Sequence, residues 1–363
     1  MRSLPKLDDL IGEQPSVYHH PPDDHLFVAG PPGSGKTSLA VLRATFLTHL
    51  PRRVVLITRN RMLSSLTRQL GAGVFVTSTM NSFVSRDHSQ RLGRFAPQPD
   101  ARYEYDWVQI YHSYEAAGIK PALDHLVIDE GQNLPGQFFT WAMRFGARTL
   151  TVFADENQAT SKQTATLHDI RHAGLPRPIR LTDNHRNTEE IARLAEYFHR
   201  GAVLPPALVR RGRGGELPRL VRVNSGKALA GIVATRFRNR REAIGVVVGS
   251  KEHVNALHGM LLIELPGIRV DAYTSDTPPA GEQQIRILEP GVTVLTSESV
   301  IGLEFDTVFL HDLRSLPCLT PADSRKMYMM CARARDILVL VDGPEYLSSA
   351  QYASLPDGTL LER

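Results

Sequence analysis

Leu26 to Leu39, LFVAGPPGSGKTSL, decides how this chain is read. Leu26, Phe27 and Val28 form an apolar, β-prone run that stops at Gly30. Pro31 to Gly35 turn the chain, and Lys36 and Thr37 open a helix. The pattern is G-x-x-x-x-G-K-T between a strand and a helix, the setting in which backbone N–H groups converge on a phosphate. Gly33, Ser34 and Gly35 make the cradle, Lys36 reaches the outer phosphates, the Thr37 hydroxyl suits magnesium, and Ser38 completes the first helical turn. A Gly/Pro surface turn offers the same letters by chance, but both flanks and the later segments agree with a phosphate loop.

Outward from that stretch, 363 residues leave room for two domains, each with a sizeable core. A net charge of +4 permits a nucleic-acid partner without demanding one. Two cysteines, Cys318 and Cys331, make neither a disulfide framework nor a metal cluster, so a reducing, cytoplasmic setting is expected. The opening MRSLPKLDDLIGEQ has no long apolar run, and no run of about 18 apolar residues occurs elsewhere. Neither a signal peptide nor a membrane contact is therefore expected.

Short β-branched runs alternate with amphipathic stretches, a pattern that predicts α/β architecture with parallel sheets flanked by helices. Strands are expected at 26–29, 54–58, 126–129, 150–154, 244–249, 292–296, 307–311 and 337–341. Helices are expected at 37–49, 62–70, 188–198 and 251–261. The two sheet-forming blocks divide near Gly174 to Pro178, giving domains 1–178, with a small helical insertion at about 85–124, and 179–363. Arg210 to Gly215, RRGRGG, has two readings, a solvated loop or a phosphate-contacting patch.

HLVIDEGQN, His125 to Asn133, is an apolar strand ending in two carboxylates. Downstream of a phosphate loop, Asp129 suits a magnesium ligand and Glu130 suits the group that polarises the attacking water. Without the loop the pair would read as a solvated turn.

With these two signatures in place, the order of segments resembles that of UvrD-like superfamily 1 helicases. The third signature resembles LTVFADENQ (150–158), the fourth LTDNHRNT (181–188), the fifth VLTSESVIGLEFDTVFL (294–310) and the sixth RKMYMMCARAR (325–335). The resemblance covers nearly the whole chain and implies two tandem RecA-like P-loop domains with ATP and Mg2+ in the cleft between them. It gives Asp155 a supporting role, makes Gln158 the γ-phosphate sensor, and places Arg186 and Arg333 on the γ-phosphate. A guanidinium there meets the charge that spreads over the phosphoryl oxygens in the transition state. Arg333 also reads as a salt-bridge partner in an arginine-rich helix, with Arg335 the obvious decoy.

The same resemblance places Gln14 against adenine, although Pro15, Ser16 and Val17 match poorly and a loop glutamine fits as well. His185 stands where the family stacks a tyrosine on the base, and Gly302 and Glu304 lie near the nucleotide. Arg59, in the segment after the second strand, and Thr79, Asn81 and Phe83 of VTSTMNSF match segments that face nucleic acid. Thr79 equally suits a helix cap, and Phe83 a core position.

Three departures bear on what such an ATPase does. Ala159 to Gln163 replace an aromatic stacking segment, Ile301 stands where lysine is common, and Ala332 where threonine is usual. The insertion holds only a cluster of Tyr103, Tyr105, Trp107, Tyr111 and Tyr114, which reads as a base- or partner-binding surface or as packing. The wedge-forming subdomains are missing. The expected function is an ATP-dependent translocase or helicase-like motor on single-stranded nucleic acid, DNA favoured. The alternative is an ATP-driven switch controlling a partner such as a nuclease in DNA repair or anti-phage defence.

Overall fold

A computed structural model describes residues 4–98, 104–155, 165–199, 208–209, 214–278, 281 and 285–363. It divides into two units, one holding Leu4–Gly30 and Gly35–Leu181, the other Pro31–Ser34 and Thr182–Arg363. Each unit is α/β, with a parallel sheet flanked by helices.

The first unit contains β1 (Leu26–Ala29), β2 (Val54–Thr58), β3 (Val76–Thr79), β4 (Leu123–Ile128), β5 (Ala147–Ala154) and β6 (Ile179–Arg180). They form one sheet in the order β3-β2-β4-β5-β1-β6, every neighbour parallel. Successive side chains of a strand point to opposite faces, and here both faces are covered. Leu26 and Val28 meet Leu39, Val41, Ala44 and Leu47 on one side. Phe27 and Ala29 meet Ile57, Ile128 and Phe139 on the other. That double burial is why the central strands read as unbroken apolar runs. Ile179 and Arg180, directly after the sequence-derived division at 178/179, pair with Val28 and Ala29 in this sheet.

The aromatic insertion is packed rather than displayed. Tyr105 donates its hydroxyl to the Asn81 carbonyl (2.8 Å), Tyr111 to the Gln137 carbonyl (2.6 Å) and Tyr114 to Asp87 (2.8 Å). With Trp107 they belong to the same core that contains Phe138 and Trp141. Tyr103 lies outside the described residues.

A buried histidine on β4 links this packing to pH. His125 is fully enclosed and hydrogen-bonded to the Thr151 hydroxyl (2.8 Å). Burial first, and the Arg43 charge second, lower its pKa from 6.5 to about 3. The folded chain therefore keeps the ring neutral while the unfolded chain takes up a proton below 6.5. This stability is complete above 6.5 and is withdrawn as pH falls toward 3. At pH 5 the loss is about 2 kcal/mol, from about 1.4 kcal/mol per pH unit. Between pH 7 and pH 5, urea unfolding is expected to show the natural protein losing about 2 kcal/mol more than His125→Gln. Equal losses would assign the acid sensitivity to another group.

The second unit contains β7 (Asp183–Asn184), β8 (Leu208–Val209), β9 (Arg219–Arg222), β10 (Ala243–Val248), β11 (Val270–Tyr273), β12 (Gly291–Thr296), β13 (Phe305–Leu310) and β14 (Ala334–Asp342). The main sheet runs β11-β12-β10-β13-β14-β9, again parallel throughout, and β7 pairs with β8 alone. Ile244, Val246, Val292, Val294 and Phe309 bury one face under Leu229, Val233 and Phe237 of the helix Gly226–Arg240 and Val254, Leu257 and Leu261 of the helix Lys251–Glu264. No helix among the described residues is long and apolar enough to cross a membrane.

Candidate active site

Parallel strands place their carboxyl ends along one edge, where loops and helix starts gather. In the first unit that edge carries Lys36 after β1, the two carboxylates Asp129 and Glu130 after β4 and Asp155 after β5.

The helix Lys36–His49 opens from Gly35, whose φ of 85° is a left-handed conformation natural to glycine. A Cβ on Gly35 would come within 3.0 Å of the Gln14 amide nitrogen, which packs over the loop from the N-terminal helix Gln14–Tyr18. Gly33, also left-handed at 81°, belongs to the second unit's cluster. Its carbonyl accepts the His185 N–H (2.9 Å), and an added Cβ would collide with the Asn184 side-chain oxygen Oδ1. The Ser34 hydroxyl donates to the Pro31 carbonyl (2.8 Å).

Lys36 is nearly enclosed. Its ammonium donates to the Gly30 carbonyl (2.6 Å) and lies 3.5 Å from Asp155 Oδ2, a carboxylate with no exposed surface. Thr37 and Ser38 are buried in the same turn.

Asp129 follows β4 directly, its N–H donating to the Ile57 carbonyl (2.9 Å). Oδ1 accepts the Glu130 N–H (3.0 Å), while Oδ2 is enclosed and has no hydrogen-bond donor among the described residues. Burial, and then the neighbouring Glu130 charge, raise the Asp129 pKa; the Thr37 hydroxyl and Lys36 ammonium nearby oppose them without prevailing. An enclosed oxygen with no donor, in a carboxylate whose charge needs compensation, fits a hard cation. Asp129 and Thr37 are the residues that would hold Mg2+. No group of three or more His, Cys, Asp or Glu among the described residues makes a self-sufficient metal cluster. A single carboxylate, a hydroxyl and substrate phosphates form the ligand set usual for that ion.

Glu130 sits at φ 58°, a left-handed conformation that is strained for a side chain of this size. The turn is tight because the chain passes against β5: a Cβ on Gly131 would fall 2.9 Å from Val152 Cγ1 and 3.2 Å from the Phe153 carbonyl. Two amides hold the Glu130 carboxylate, with Gln132 Nε2 donating to Oε2 at 2.5 Å and Asn133 Nδ2 to the same oxygen at 3.3 Å. Gln132 Oε1 in turn accepts the Asp155 N–H (2.9 Å), and Asn133 Oδ1 accepts from Arg59 (2.9 Å). Gln132 and Asn133 are the residues that sequence reasoning missed. The available signal was two amides directly behind an Asp-Glu pair.

In the second unit, Arg186 forms an ion pair with Glu304 and donates to the Ala332 carbonyl (3.3 Å). Arg333 is buried, and its Nε donates to the Met329 carbonyl (2.9 Å). Burial pushes the Glu304 pKa up, but nearby positive charge, Arg186 foremost, outweighs it and holds the carboxyl at about 2. Arg335 lies 3.4 Å from Asp306. Gly302 is left-handed at φ 82° just before this glutamate. Asn184 and Asn187 clamp the Arg186 loop: Asn184 Oδ1 accepts the N–H groups of 186 (3.0 Å) and 187 (3.2 Å), and Asn187 donates to the carbonyls of Ala332 and Ala334. Gln158 and the segment Ala159 to Gln163 lie outside the described residues, as do Arg210 to Arg213.

Of the residues expected to face nucleic acid, Thr79 accepts the Ser82 N–H (3.3 Å) as the cap of the helix Met80–Leu92. Phe83 packs edge-on against Trp141, ring centres 5.9 Å apart. Asn81 Oδ1 is enclosed without a donor among the described residues. Arg59 is bound to Asn133, as above.

No family model and no curated protein matches the chain. Among solved structures it is similar to the C-terminal domain of a possible DNA helicase from Lactobacillus plantarum WCFS1. The two share 22% identity at a TM-score of 0.36, over 49% of this chain and 97% of that one.

Proposed function

We propose that the chain hydrolyses ATP to ADP and phosphate and uses the cycle to move along or remodel single-stranded nucleic acid, DNA in the first instance. The observation that carries this is the enclosed Asp129–Glu130 pair: one carboxylate has an oxygen with no donor among the described residues, and the other is held by two amides, with Lys36 and Thr37 nearby. In this reading Lys36 binds the outer phosphates and Glu130 takes the proton of the water that attacks the γ-phosphorus as the bond to the β-phosphate oxygen breaks. Thr37 and Asp129 would hold magnesium, which would neutralise charge on the substrate phosphates. The finer architecture is two tandem RecA-like P-loop domains, with Gln14 and His185 at the base, Gln158 sensing the γ-phosphate, and Arg186 and Arg333 stabilising its charge.

A second reading, an ATP-driven switch that controls a protein partner, draws on Thr79 and Phe83, which are committed to a helix cap and to core packing. Steady-state ATP turnover with and without single-stranded oligonucleotide, at several low salt concentrations, separates the two. The motor reading expects turnover to rise several-fold with oligonucleotide and the stimulation to fade as salt increases. Turnover indifferent to oligonucleotide throughout would leave the switch.

A further inference from the structure

We infer that Arg59 is a positioning residue for Glu130, acting through the Asn133 amide, rather than a nucleic-acid contact alone. The inference rests on the hydrolytic reading of the site and extends it to the turn after β2.

An amide has an accepting end and a donating end, and fixing one fixes the other. Arg59 Nη1 donates to Asn133 Oδ1 at 2.9 Å, so Nδ2 of the same amide faces Glu130, where it donates to Oε2. The flipped amide would set its NH2 against the guanidinium, donor against donor, and leave the glutamate without that bond. Arg59 therefore decides which end of Asn133 Glu130 meets. Gln132 is built the same way. Its carbonyl end is fixed by the Asp155 N–H (2.9 Å), and its donor end falls on Glu130 Oε2 as well.

Both bonds reach one oxygen, so they hold the carboxylate through Oε2 and leave Oε1 for the proposed proton transfer. Lateral support matters at this residue because its left-handed backbone, φ 58°, is strained and persists only where the surrounding bonds hold it. Arg59 can do this from a distance because its own position is set locally. Asn60 caps the helix Arg61–Leu70 by accepting the Leu63 N–H (2.8 Å), which anchors the turn that carries Arg59.

The test is ATP turnover without nucleic acid in the natural protein, Arg59→Ala, Asn133→Ala, the double variant and Arg59→Lys. Each alanine variant is expected to lower kcat about 10- to 100-fold through misplacement of Glu130, with KM for ATP unchanged within about twofold. The double variant is expected to be no slower than the slower single one, because both break the same chain of bonds. Arg59→Lys, which keeps a donor for Asn133, is expected to recover most of the rate. An Arg59→Ala kcat within twofold of the natural protein, or losses that multiply in the double variant, would overturn the assignment. If the natural protein turns over no ATP, the hydrolytic reading fails by itself, and urea midpoints of the same proteins still decide the relay. Shifts of the single variants that exceed the double when summed support it; additive shifts overturn it.

Discussion

Glu130→Gln is expected to lower kcat for ATP by roughly 10²- to 10⁴-fold, the range supplied by a positioned proton acceptor, while nucleotide binding stays within a few-fold of the natural protein. The substitution is nearly isosteric. The carbonyl oxygen of the new side-chain amide still accepts from Gln132 and Asn133, so the turn and its two supporting amides are retained. What changes is the other end, where an NH2 replaces the oxygen that would take the proton of water. Lys36, Thr37 and Asp129 are untouched, so the proposed nucleotide site is expected to stay occupied. Phosphate release and equilibrium nucleotide binding together check this. Unimpaired turnover would move the base elsewhere; lost binding would make Glu130 structural.

Arg186→Met is expected to do two things that can be pulled apart. Turnover falls about a thousandfold or more if the guanidinium meets transition-state charge. Stability falls as well, by about 3 kcal/mol, because Glu304 loses its principal partner within a partly buried ion cluster. Glu304 is held ionised at about 2 against the cost of its burial. The stability it contributes is present above the unfolded value of 4.5 and is lost as pH falls toward 2. Removing Arg186 raises that lower limit. Pairing Arg186→Met with Glu304→Gln removes the stranded charge, and urea unfolding is expected to recover most of the lost stability while turnover stays low. Turnover that returns with the fold would reduce Arg186 to a structural role. Arg335→Ala serves as the contrast, since its neighbour is Asp306 at 3.4 Å, and a turnover loss of only a few-fold is expected.

The strand–glycine turn–helix segment at Leu26–His49 and the strand that leads into Asp129 and Glu130 were legible in the chain because their signals are local. A left-handed glycine, a lysine opening a helix and carboxylates at the end of an apolar strand are each specified within a few residues. The central strands were legible for a related reason: burial on both faces leaves no polar alternation to confuse them with a surface element. The edge strands Val76–Thr79, Ile179–Arg180, Arg219–Arg222 and Val270–Tyr273 are short and half-exposed, and they went unmarked. Their strand state comes from a neighbour's hydrogen bonds rather than from their own residues.

Local order along the chain was enough to indicate two parallel α/β blocks, since period, turn chemistry and strand endings act between near neighbours. Folding alone brought Arg59 to Asn133, 74 residues away, and Arg186 to Glu304, 118 residues away, and set Phe83 and the insertion's aromatic side chains in the core. Whether an arginine, an amide or an aromatic ring serves a ligand, another side chain or the interior depends on which distant group the backbone carries to it. Composition and spacing carry no record of that meeting.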